Sequence, residues 1–217
     1  MRPGLYLASA VFPAYWLALA ADVDSELLTR WAHLALMAVP TAVVVVRAGR
    51  DRDQRAAWAL LGAVLALWTL GFACQLTVAP RSPGVAHALW LGGYPFLFAA
   101  FVAFARPWLR RAPVTVAFDT LAVGLGVTAV VTALVLPLLV ADNGRLSLGA
   151  AVSLGYPLSD SLLLSVAIIG AVIAGRGGGA MWLLMASGVA ALVIADALWA
   201  RHAAAGEWAP AASTNAE

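Results

Sequence analysis

Polar residues along this chain come in short clusters separated by long apolar runs, and no run alternates polar and apolar positions as a half-buried strand does. Seven runs, 4–20, 27–46, 56–78, 88–105, 115–140, 149–174 and 180–200, reach or approach the length that spans a hydrocarbon core, which takes roughly 17–25 helical residues. The clusters between them are rich in Gly, Pro, Asp and Arg, as in Arg47-Ala48-Gly49-Arg50-Asp51-Arg52-Asp53 and Gly175-Arg176-Gly177-Gly178-Gly179. The pattern predicts an all-α integral membrane protein of about seven transmembrane helices. Without alternation, an outer-membrane barrel is excluded.

A second pattern lies over the first. Gly93-Tyr94-Pro95 returns as Gly155-Tyr156-Pro157, a spacing of 62 residues, and each copy opens an apolar run. Trp58 and Trp182 stand 124 residues apart with Thr120 midway, and Gly62 and Gly124 keep the same register. A repeated helix pair implies a bundle built by duplication. It divides the chain into an N-terminal hairpin with its Arg-rich turn (1–55) and a repeated module (56–217). A third Gly-Tyr-Pro is due at Glu217, so the repeat predicts an eighth helix beyond these residues.

Composition reinforces the membrane reading: 63% of residues are hydrophobic and 11% charged, against roughly 45–50% and 25% in soluble domains. All 13 basic residues are Arg. The absence of Lys excludes a retinal Schiff base. The Arg residues form no aromatic-interleaved patch, so nucleic acid is not an expected partner. Cys74 is the single cysteine, which excludes an intrachain disulfide and any C-x-x-C motif.

Arg placement predicts orientation. Arg2, Arg47, Arg50, Arg52, Arg55, Arg106, Arg110, Arg111 and Arg176 fall on one side, whereas Arg30, Arg81, Arg145 and Arg201 fall on the other. The N-terminus is expected in the cytoplasm, with the bundle in the inner (plasma) membrane. A cleaved leader over residues 1–20 is the alternative for the first run, though Pro13, Tyr15 and Trp16 fit an apolar leader core poorly.

Acids inside apolar helices cost about 2.5–3.5 kcal/mol each at mid-membrane, so each one invites a role. Asp160 lies one helical turn after Tyr156-Pro157, and Asp196 lies at a similar depth in the next run. The five-residue turn between those runs makes them neighbours. The two acids are then placed to face one another, sharing a proton or binding a cation. Otherwise each is satisfied singly by Ser159, Ser161, helix-end carbonyls or the interface. Tyr94, Tyr156 and Gln75 are candidate walls of the same outward-facing pocket, with interfacial anchoring and helix–helix hydrogen bonding as their plainer roles. Asp119 is expected in the first turn of its helix, near Arg110 and Arg111, as a dipole-favoured cap. The prolines of the repeat are expected close to helix starts. His33, His87 and His202 form no ligand motif. No phosphate loop, H-E-x-x-H or nucleophile elbow is present, and neither a metal nor a cofactor is expected.

The order of helices, Phe118-Asp119, Gly155-Tyr156-Pro157-Leu158-Ser159-Asp160 and Ala195-Asp196-Ala197-Leu198-Trp199 resembles the integral-membrane N-terminal sensor region found ahead of GGDEF diguanylate cyclase domains, often accompanied by EAL domains. The resemblance covers residues 56–217 and rests on short motifs. It implies an input module coupled to cyclic di-GMP turnover, working as a homodimer and responding to a small ligand or a membrane state. No GGDEF or EAL sequence lies within the chain, so it implies no catalytic residue here. The repeat equivalent of Asp160 is Phe98, making the acidic site asymmetric. A small transporter or channel built from parallel helix-pair repeats is the other expectation.

Overall fold

The computed structural model describes residues 33–77, 84–110, 114–140 and 148–204. Among these residues all regular structure is helical: α1 (His33–Arg50), α2 (Arg55–Thr77), α3 (Val85–Leu109), α4 (Val114–Val140) and α5 (Leu148–Ala204). The expected span 4–20, and the leader reading of it, lie outside the described residues.

Three segments are long and apolar enough to cross a membrane, namely α2, α3 and Leu154–Ala174 within α5; Met181–Asp196 is a shorter apolar helix. Their outward surface matches that reading. Val43, Leu70, Phe118, Val130, Val172 and Leu184 are each more than half exposed, an arrangement that water penalises and hydrocarbon does not.

The runs expected at 149–174 and 180–200 are joined in one helical trace of 57 residues. As a straight rod it would hold Gly170 and Trp182 about 18 Å apart at 1.5 Å per residue. Instead the Trp182 ring lies directly on Gly170, where no Cβ would fit. The axis therefore reverses between Ala174 and Met181, across the glycine cluster predicted as a turn. We call the two arms the first limb (Leu154–Ala174) and the second limb (Met181–Asp196).

Helix α3 is the hub, packing on α2 and on α5, while α1 packs on α2 and α4 on α5. The core gathers Val64, Leu97, Phe101, Phe104, Leu163, Ala167 and Trp182. Trp58 meets Phe104 edge-on at 5.0 Å, and Trp182 meets Phe101 edge-on at 5.8 Å. The ends of this core are chemically different. Arg47, Arg50, Arg52, Arg55, Arg106 and Arg110 cluster at the α1–α2 turn and the end of α3. There Asp51 accepts bonds from the Gln54 N–H and the Trp58 indole, both at 3.2 Å, and the Arg47 guanidinium lies 4.7 Å over the Trp58 ring. An ordered acid satisfies a backbone donor near the start of α2.

At the opposite end, α2 and α3 are locked by a reciprocal tryptophan exchange. The Trp68 indole donates to the Trp90 carbonyl at 3.0 Å, and the Trp90 indole donates to the Trp68 carbonyl at 3.2 Å. Each ring needs a notch on the facing helix. Gly71, three residues after Trp68, admits Trp90; Gly93, three residues after Trp90, admits Trp68. A Cβ on Gly93 would stand 2.6 Å from the Trp68 indole nitrogen. Close approach at small residues is how helices associate where no hydrophobic drive operates. Trp68→Phe deletes one of these bonds together with the part of the ring that fills the Gly93 notch, so it should lower unfolding free energy in detergent micelles by more than the ~1 kcal/mol of a single hydrogen bond. A loss no larger than that would show that the ring's fit in the notch contributes nothing.

The two glycines in repeat register both sit at close helix contacts. Gly62 faces Val45 and Gly124 faces Ser165, each so closely that a Cβ on the glycine would stand 3.3 Å from that side chain, whereas Gly126 and Gly188 have open space. Two further expectations are corrected. Asp119 is not in the first turn of α4, which contains no acid, because the helix begins at Val114; its side chain is exposed. Pro95 and Pro157 lie inside α3 and α5, because both helices begin well upstream. Each proline removes an N–H and so frees the carbonyl four residues earlier, at Leu91 and Ser153.

Candidate functional site

The two Gly-Tyr-Pro stretches do the same local work. The glycine opens a notch for a large neighbour, Trp68 at Gly93 and Leu91 at Gly155. The tyrosine turns inward: Tyr94 is 4% and Tyr156 8% exposed. Their rings meet edge-on at 6.4 Å. They are therefore interior groups, not the interfacial anchors that the plainer reading makes of them.

Around this tyrosine pair the structure assembles polar groups from three helical arms. The Tyr94 hydroxyl donates to Asp160 Oδ1 at 2.6 Å, short enough for a bond to an ionised or strongly polar acceptor. Asp160 is completely buried. Its other oxygen, Oδ2, is buried and receives no N–H or O–H donor from the protein. What stands within hydrogen-bonding reach is the carboxyl of Asp196 on the second limb. These facts are compatible because a carboxylate donates nothing: the contact is acceptor to acceptor until a proton joins it. Asp196 also lies near both tyrosine hydroxyls. The adjacency expected from the five-residue turn is thus present, with the reversal of α5 as its cause.

On the other side of the pair, the Tyr156 hydroxyl and His87 Nδ1 are 2.9 Å apart. The imidazole sits edge-on to Trp90 at 5.2 Å and to the Tyr156 ring at 6.0 Å. His87 is in the first turn of α3, half-buried, so it links the interior to the end of the bundle. The apolar run from residue 88 leaves it outside the helix, and no ligand motif singles it out. A signal does exist in the spacing: His87, Trp90 and Tyr94 follow i, i+3, i+7, one face of a helix.

Gln75 is not part of this group. It is exposed on α2, and among the described residues it makes no contact with the tyrosines or acids. Cys74 is half-buried and free. Ser161, one of the two serines expected to satisfy Asp160, turns elsewhere: it donates to the Pro157 carbonyl at 2.6 Å, and Ser165 in turn donates to the Ser161 carbonyl at 2.9 Å. Such bonds hold a helix's own backbone and leave the acid to its neighbours. No cluster of three or more His, Cys, Asp or Glu residues suited to a metal occurs among the described residues. The side chains of His33 and His202 lie outside the described ones.

The arrangement is a dicarboxyl site, fully buried at Asp160 and half-buried at Asp196, clamped by one tyrosine on α3 and packed beside a second tyrosine that is bonded to a histidine near the helix end. Chemically it can hold a proton or an oxygen-liganded cation and can change the fit of α3 against α5 when it does so. No family model, curated protein or solved structure matches this chain.

Proposed function

We propose that this chain is a membrane-embedded sensory or input module of a bacterial signalling protein, in which occupancy of the Asp160–Asp196 site changes how α3 packs on the α5 hairpin. The observation that carries the reading is the Tyr94–Asp160 bond, since it ties the hub helix to an acid whose charge state depends on what the site holds. The Arg-rich end lies opposite the site, and by the positive-inside rule it faces the cytoplasm. On this reading the protein sits in the inner membrane with its N-terminus inside and the site toward the outer face. A small ligand there shifts packing, and the shift reaches a homodimer's cytoplasmic output, with cyclic di-GMP turnover as the proposed readout through a domain outside these residues. The bound species must favour one packing over the other, or nothing is transmitted.

The test uses nitroxide labels on cysteines placed at Leu109, near the end of α3, and Leu184, on the second limb; both side chains are exposed. In lipid nanodiscs the distance distribution between them should shift on acidification. The Asp160→Asn/Asp196→Asn protein should hold one distribution throughout. A wild-type distribution indifferent to pH and to cations would remove the sensory reading. A small transporter is the second reading, favoured by the prolines inside α3 and α5 beside the site, since transporters interrupt helices where they bind substrate. Sustained proton or cation flux into proteoliposomes would select it.

A further inference from the structure

We infer that Asp160 and Asp196 hold a single proton between them. The inference deepens the sensory reading by naming what the same site binds.

Three independent features converge. Asp160 Oδ2 is buried with no donor of its own, and the Asp160 carboxyl stands within hydrogen-bonding reach of a second carboxyl. Two bare carboxylates in so dry a place repel one another strongly; one proton converts the contact into a hydrogen bond and leaves one negative charge for the pair. That remaining charge has a donor already aimed at it, the Tyr94 hydroxyl at 2.6 Å from Oδ1. The groups facing the pair suit a proton better than an ion. From α3 come Tyr94 and, one group further out, His87; from the first limb comes Tyr156; α2 contributes the neutral Trp68 ring beside Tyr94. A divalent cation takes six or more oxygens or keeps waters, and among the described residues two carboxyls with two phenols supply fewer. No metal-type cluster is present among the described residues.

Infrared difference spectroscopy of the 217-residue chain in lipid nanodiscs reads this directly. At neutral pH the wild type should show one protonated-carboxyl band, shifted in deuterium oxide. Asp160→Asn and Asp196→Asn should each abolish it, because an amide donor then faces the remaining carboxylate, which in Asp196→Asn also keeps the Tyr94 bond. The absence of the band in wild type overturns the proposal without recourse to any variant. A band that survives in Asp196→Asn overturns sharing. A band erased by sodium but not by choline gives the site to a cation instead. The band is independent of signalling. A band that behaves as expected with label distances that do not move would end the sensory reading and keep the proton, and the converse result would do the opposite.

Discussion

Gly170→Leu should cost this protein about 3 kcal/mol of unfolding free energy, the upper part of the range for overpacking a tight core, while Gly188→Leu on the same hairpin should cost almost nothing. The contrast comes from position. Trp182 is completely buried, and its six-membered ring covers Gly170 so closely that the place of a Cβ is already taken. The first added atom must push the ring toward Phe101 and Trp108, which hold it edge-on at 5.8 and 6.4 Å. Gly188 has nothing within 4 Å of the place a Cβ would occupy, and in lipid a leucine there replaces one apolar contact by another. Steric trapping or SDS unfolding in mixed micelles measures both. Equal losses would mean that the α5 limbs do not close on Trp182 as described.

The second large effect concerns Tyr94. Tyr94→Phe removes the donor at Oδ1 and leaves that buried oxygen without a hydroxyl or N–H partner. An unsatisfied group of this kind costs about 1.5–3 kcal/mol when charged or strongly polar. Asp160→Leu removes the need for that donor, so Tyr94→Phe should cost little in its presence. A double-mutant cycle isolates the coupling, which should fall in the same range. Thermal unfolding of the four proteins in one detergent suffices. Additive losses would disconnect the two residues and with them the link from the acid site to α3.

Much of this is readable in the sequence for a definite reason. Acids are so rare in apolar helices that Asp160 and Asp196 announce themselves, and a short glycine-rich turn leaves their helices no choice but to be neighbours. The inward turn of the tyrosines is less accessible, because tyrosine serves equally well at a membrane surface. Only the glycine preceding each one, filled by a large side chain from outside its own turn, decides the matter. His87 escapes because the apolar run begins at Ala88, whereas the helix itself begins at Val85 and puts His87 on the Tyr94 face. Gln75 fails in the opposite way: its depth is right, but its direction around the helix axis is not. Depth is written in the length of an apolar run, whereas direction depends on neighbours. The tryptophan exchange is hidden for the same reason, its W-x-x-G halves being meaningful only once α2 and α3 are side by side.

The fold-back of α5 also bears on how the protein is made. A single span carrying Asp160 would enter the bilayer against about 2.5–3.5 kcal/mol. The carboxyl that meets it is not on α1, α2 or α4 but on the limb synthesised next, only a turn away. The two arms thus have reason to leave the translocation channel together, acid against acid, as one inserted unit. The reversal that builds the site is then also its passport into lipid, and lengthening the turn should hinder biogenesis before it alters anything the finished protein does.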